Sequence, residues 1–276
     1  MSTLELPERF ELKVEAILDQ GSAVIRRMLA KRHLRRIKLD ALEHRRGDYR
    51  DVWDEAVSAT NARIAVCGTS DQGEFERSGE ATAQNLIREV DIRPRDIVLE
   101  IGCGTGRVGV RVAPHCDHWI GAEVSRRMLD YAQQTLKGTS NVSFLELNGY
   151  DLAGASNDSI DVIYCSGVFM HLDEWDRYRY VVEAYRVLRP GGRFYFDSVN
   201  LLGDEGWRLF SDLCRLDPAS RPPNVSKSST SEELRTYAEH GGFIDIRVLA
   251  GPLWLSVIVT KPLPATQTEM AAGKQT

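Results

Sequence analysis

The chain has 276 residues, of which 42% are hydrophobic and 27% charged, and its formal net charge is −5 at neutral pH. That length and composition suit a soluble globular protein with one sizeable core, and the acidic balance disfavours a general nucleic-acid partner. No apolar run approaches the ~20 residues of a membrane span, and no charged-then-apolar leader opens the chain, so a cytoplasmic location is expected. Five cysteines, Cys67, Cys103, Cys116, Cys165 and Cys214, are odd in number and scattered. They match no metal-ligand spacing, which points to free thiols in a reducing compartment.

Residues 1–78 lack strand alternation and are expected to form a helical N-terminal extension or cap. The window Arg26–Arg46 holds nine Arg and Lys against Asp40 and Glu43. Ile25, Leu29, Leu34, Ile37 and Ala41 recur at helical spacing, so this segment reads as an amphipathic helix with a basic face. That face is either solvated or meets an acidic partner: a phosphorylated acceptor, RNA, or an anionic membrane surface touched weakly through residues 26–46. A Gly-rich stretch around Gly68–Gly73 follows, and Ser78-Gly79-Glu80-Ala81 opens a helix before the first strand.

Residues 79–262 alternate strands and helices, the pattern of a doubly wound α/β domain. Its first strand runs into Val98-Leu99-Glu100-Ile101-Gly102-Cys103-Gly104-Thr105-Gly106-Arg107. Glycines at alternate positions permit a sharp turn and let a ligand approach the backbone. Read from Gly104, the run matches the G-x-G-x-x-G fingerprint of dinucleotide binding. The strand, however, ends at Gly102, two residues early for that fingerprint. Glu100 would also lie against a pyrophosphate, and like charges in contact are costly in a partly dry cleft. A cationic nucleoside without phosphate suits the loop better.

A second strand in Asp117–Ser125 ends in the acid Glu123, and a third spans Val142–Leu147 before Asn148-Gly149-Tyr150-Asp151-Leu152. A buried fourth strand opens Ile160–Leu172, with Cys165, Ser166 and His171 at or past its end. Arg186-Val187-Leu188-Arg189-Pro190-Gly191-Gly192 stops a helix and turns into a fifth strand ending near Asp197. Residues 201–230 read as a lid-like insertion with a helix near Glu205–Leu213 and a Pro-rich loop. A helix starting at Ser231, two strands (Ile244–Leu249 and Leu253–Thr260) and a flexible tail, 263–276, complete the chain.

In order and spacing these segments resemble the class I S-adenosylmethionine-dependent methyltransferases of small-molecule type. Val98–Arg107 is similar to motif I, Ile160–Leu172 to motif IV, and Arg186–Phe196 to the segment that follows it. The resemblance implies a mostly parallel, seven-stranded sheet with an antiparallel C-terminal strand. It also implies S-adenosyl-L-methionine as cofactor, held by Glu100, Gly102, Cys103, Gly104, Gly106, Glu123, Val124, Met128, Asn148, Gly149, Tyr150, Cys165 and Ser166. By that likeness Glu123 takes both ribose hydroxyls, and Asn148 stands where many members place an adenine-contacting Asp. No Asn-Pro-Pro-Tyr box follows the fourth strand, and the implied acceptor is a small molecule methylated at a hydroxyl. His171, whose imidazole titrates near neutrality, is the candidate base. Asp197 is expected to orient it or to bind the acceptor. An RNA methyltransferase using the basic helix and a non-catalytic S-adenosylmethionine-binding protein are the alternatives; a nicotinamide oxidoreductase is disfavoured by Glu100. Oligomeric state and acceptor atom stay open.

Overall fold

Among the residues that the computed structural model describes, 48–57 and 62–264, three helices precede the first strand. They are α1 (Tyr49–Ala56), α2 (Ala62–Cys67) and α3 (Gln72–Glu89). The Asp48 carboxylate accepts the Arg50 N–H at the start of α1, and Asp71 accepts the Glu74 N–H at the start of α3. Each cap satisfies a donor that has no partner within its helix. The helix before the first strand therefore begins at Gln72 rather than near Ser78, because Asp71 supplies the cap. The basic segment 26–46 and most of the tail 263–276 lie outside the described residues.

Strands and helices then alternate: β1 (Ile97–Ile101), α4 (Gly109–Val112), β2 (His118–Glu123), α5 (Arg126–Thr135), β3 (Val142–Glu146), β4 (Ile160–Cys165), α6 (Glu174–Val187) and β5 (Leu188–Asn200). The C-terminal part adds α7 (Asp204–Cys214), β6 (Ser228–Ser229), α8 (Ser231–His240), β7 (Ile244–Ala250) and β8 (Trp254–Thr260). Strand order is β3-β2-β1-β4-β5-β8-β7, with β6 beside β5. Pairing is parallel throughout except that β8 runs antiparallel to both β5 and β7. The seven expected strands stand in this sheet. The eighth, β6, is two serines paired with Val199 and Asn200, too short to show an alternation. Pro190, Gly191 and Gly192 lie inside β5, next to the register shift between Ile160 and Val162.

Side chains of a strand alternate between faces, and here both faces are covered. Leu99, Ile101, Ile163, Phe194 and Phe196 join one core with α6 and α8, while Val98, Val162, Tyr164 and Tyr195 join the other with α3. Strand order reverses between β1 and β4, and ligands of such open sheets bind beyond the carboxyl ends of the strands at that reversal. No helix among the described residues is long and apolar enough to cross a membrane.

Candidate active site

A cavity of about 680 Å³ opens at the carboxyl ends of β1, β2, β3 and β4, and residues of α1 and α2 cover it. That volume lies within the range of pockets that hold a nucleoside-sized ligand. Gly102 has a φ of +73°, and a Cβ there would come within 2.3 Å of Val168 Cγ2, so the end of β1 admits only glycine. The loop is then pinned to β2, as the N–H groups of Gly102 and Cys103 both donate to the Ala122 carbonyl at 2.7 and 3.0 Å.

Glu123 sits at the end of β2 and is 7% exposed. One carboxylate oxygen accepts the Gly104 N–H at 3.0 Å; the other accepts those of Val124 and Ser125 at 2.9 and 3.0 Å. Burial raises its pKa against the pull of these three donors. Glu100 lies one strand over, pairs in register with Tyr164, and accepts that residue's hydroxyl at 2.6 Å; Trp119 Nε1 in turn donates to the Tyr164 hydroxyl at 3.0 Å. Burial pushes Glu100 up to about 8. A neighbouring cation would lower it again, because opposite charge favours the ionised form. Burial also pushes the thiols of Cys103 and Cys165 well above their ordinary range, so neither is a nucleophile.

His171 lies in a short 3-10 turn, Phe169–His171, and lines the cavity. Its Nδ1 is 2.9 Å from the Asn224 carbonyl oxygen. A carbonyl only accepts, so Nδ1 carries the hydrogen and Nε2 keeps its lone pair. Burial pushes the imidazole down to about 4, below the near-neutral titration expected from sequence, so it is neutral near pH 7 and a weaker base than a solvated histidine. The Trp53 ring of α1 meets His171 edge-on, with centroids 4.9 Å apart. The chain past Asn224 is tied to the same turn: the Lys227 N–H donates to the Met170 carbonyl at 2.7 Å, and its ammonium pairs with Asp173.

Of the residues expected from sequence, Glu100, Gly102, Cys103, Gly104, Glu123, Val124, Met128, Gly149, Ser166 and His171 all line this one cavity; Gly106, Asn148, Tyr150, Cys165 and Asp197 do not. Asn148 is exposed, and its side-chain oxygen accepts the N–H groups of Tyr150 and Asp151, closing a turn. Cys165 is fully buried beneath the sheet edge. Asp197, expected to orient His171 or bind the acceptor, instead accepts from Ser166 Oγ, the Gly167 N–H and the Tyr195 hydroxyl at 2.8, 2.6 and 3.0 Å. It braces the loop after β4 from behind. Thr105, Arg107, Trp53 and Trp254 also line the cavity. The first two lie inside the glycine motif, where only their side-chain chemistry marks them. Trp53 is remote from that motif in sequence and reaches the cavity from α1.

A mostly parallel sheet with an antiparallel last strand, and a buried carboxylate at the end of β2 beside the cavity, fit a nucleoside-binding α/β enzyme class. The family described as Methyltransferase domain matches residues 98–192. The chain is 31% identical over 155 residues to O-methyltransferase rstn1 of Aspergillus nomiae, covering 53% of this chain and 68% of that protein. It is 29% identical to methyltransferase GfsG of Streptomyces halstedii, covering 65% and 68% of the two chains. The crystal structure of a SAM-dependent methyltransferase from Methanosarcina mazei superposes with a TM-score of 0.52 at 20% identity, over 62% of this chain and 95% of the other. The chain belongs to the class I S-adenosylmethionine-dependent methyltransferases. Its activity is methyl transfer, and its methyl donor is S-adenosyl-L-methionine.

The residues present fit that donor. A buried carboxylate with two oxygens suits a cis-diol, and a second one, Glu100, suits positive charge. Thr105 Oγ1, buried and without a hydrogen-bond partner, awaits a polar group.

Proposed function

We propose that this methyltransferase acts on a hydroxyl of a small, uncharged and mainly apolar acceptor, with His171 receiving the hydroxyl hydrogen. The observation that carries this reading is the bond from Nδ1–H to the Asn224 carbonyl, which leaves Nε2 of a neutral imidazole as an acceptor at the cavity wall. A hydroxyl needs such a partner because it must lose its proton as the new C–O bond forms. Among the described lining residues the charged side chains are Glu100, Arg107 and Glu123, all on or beside the donor loops. Away from the donor loops the lining is mainly apolar, with Trp53, Val168, Met170, Leu209, Leu253 and Trp254 beside the neutral Asn224 and Ser226, and an ionic acceptor would lose its hydration there without a charged partner. Relatives at about this similarity include O-methyltransferases, rstn1 among them.

On the donor side, Glu123 would hold the ribose hydroxyls, Glu100 would meet the positive charge, and Val124, Met128, Leu147 and Gly149, which line the same cavity, would hold the base. The bound donor supplies an already activated methyl group. The chain's part is alignment, exclusion of water and acceptance of one proton.

His171→Gln is expected to lower kcat/KM by about a hundredfold or more while leaving donor affinity within about twofold. Initial rates with a phenolic acceptor, beside calorimetry with S-adenosylhomocysteine, check both halves. Equal rates in the two proteins would remove His171 from the chemistry.

A further inference from the structure

Past α7 the chain returns to the cavity before it enters β6. Asn224 and Ser226 line the cavity, whereas Val225 and Lys227 do not, the alternation of a segment outside any helix. Two bonds tie this segment to the turn that carries His171. The Asn224 carbonyl accepts the imidazole Nδ1–H at 2.9 Å, and the Lys227 N–H donates to the Met170 carbonyl at 2.7 Å. The Lys227 ammonium is drawn off to Asp173. What this stretch brings to the wall is one amide and one hydroxyl. Both residues are half-buried, and neither side chain makes a hydrogen bond among the described residues. The lining hydroxyls of Ser166 and Tyr49, in contrast, already donate to Asp197 and Asp176.

We propose that Asn224 and Ser226 orient the acceptor by hydrogen-bonding a second, uncharged oxygen, carried on the carbon next to the one that bears the methylated hydroxyl. Such acceptors are a narrower class of the neutral hydroxyl compounds proposed above, and the assignment rests on that reading. Polar side chains set in an otherwise apolar wall lose their water when an acceptor enters, and an acceptor oxygen restores their hydrogen bonds. A site of that kind discriminates against an analogue that lacks the oxygen. Asn224 meets the His171 ring through its own carbonyl, so its amide group starts beside the base, and the oxygen it serves lies close to the reacting hydroxyl. Both side chains are neutral and can donate, and the nearby cation, Lys227, is already paired. The oxygen is therefore that of an ether, carbonyl or hydroxyl rather than of an anion. Held at two points, the acceptor hydroxyl meets Nε2 in a single orientation, the alignment that an in-line transfer needs.

Initial rates on the full chain with 2-methoxyphenol and 2-ethylphenol, which differ by an oxygen in place of a methylene, test it. The wild type is expected to favour 2-methoxyphenol in kcat/KM by about tenfold or more. It should treat 4-methoxyphenol, whose ether oxygen is out of reach, no better than 2-ethylphenol. Asn224→Leu should bring the ratio of the two ortho compounds close to one, and Ser226→Ala should lower it by about threefold. That ratio is a readout that a merely structural role would not move. A wild-type ratio near one overturns the proposal, and so do variants that slow both phenols equally. If Asn224→Leu does not fold, Ser226→Ala decides by the same ratio. Methylation of neither phenol by a protein that still binds S-adenosylhomocysteine would remove the hydroxyl reading itself, and this assignment with it.

Discussion

Burial pushes Glu100 up to about 8, so in the free protein near neutral pH its carboxyl is largely protonated. Its ordinary value is 4.5; because the folded state raises it, the associated stabilisation is complete below that value and is lost as pH rises through about 8. A donor carrying positive charge prefers the ionised form. Donor affinity should therefore rise with pH toward about 8, with uptake of the donor releasing a proton. Glu100→Gln separates the two effects. The variant should unfold roughly 3 °C or more higher than wild type at alkaline pH. It should also bind the donor about tenfold more weakly, with a flatter pH dependence. Thermal unfolding and calorimetry across about pH 6 to pH 9 read both; unchanged affinity and slope would show that Glu100 does not meet the charge. His171 contributes no limb to that profile, since its pKa is pushed down to about 4.

At the scale of elements, the loop after β4 is held by the strand beside it. Asp197 of β5 gathers Ser166, Gly167 and Tyr195, and the Tyr195 hydroxyl lies 2.9 Å from Ser256 of β8. Asp197→Ala removes the acceptor of three donors, of which only Tyr195 keeps a second partner, in Ser256, and each donor left unsatisfied costs about 1–3 kcal/mol. It should lower the unfolding midpoint and weaken donor and acceptor binding together. Loss of kcat alone at unchanged stability would instead give Asp197 a chemical role. A strand-ending acid next to a motif reads as cleft-facing from sequence, because one chain position does not reveal which of two faces its side chain takes. The same blindness applies to Asn148, whose oxygen is spent on its own turn. Helix α1 falls within the expected helical extension, but the place where it docks was hidden. The Tyr49 hydroxyl meets Asp176 across 127 residues of sequence, and no periodicity announces so distant a contact. The glycine loop was legible because part of its constraint is local: Gly102 turns with a positive φ, whereas the Val168 side chain that also excludes a Cβ there comes from the distant loop after β4.

At the scale of the whole molecule, the seven strands were legible as short apolar runs, whereas their order, β3-β2-β1-β4-β5-β8-β7, is set by pairing between segments distant in sequence. The antiparallel last strand, implied by the resemblance to the methyltransferases, stands as β8, which pairs antiparallel with β5 and β7. What the sheet achieves is to bring loops from four strands to the point where the order reverses, with both carboxylates, Glu100 and Glu123, at one cavity. The central claim is methyl transfer from S-adenosylmethionine to a hydroxyl, and labelled-methyl transfer into an extract of neutral small molecules, with products resolved by mass spectrometry, tests it most directly. Wild-type protein is predicted to form labelled methyl ethers, and His171→Gln to form them at about one hundredth of that rate or less. Label found on nitrogen or in RNA, or no transfer above the donor's spontaneous breakdown, would contradict it.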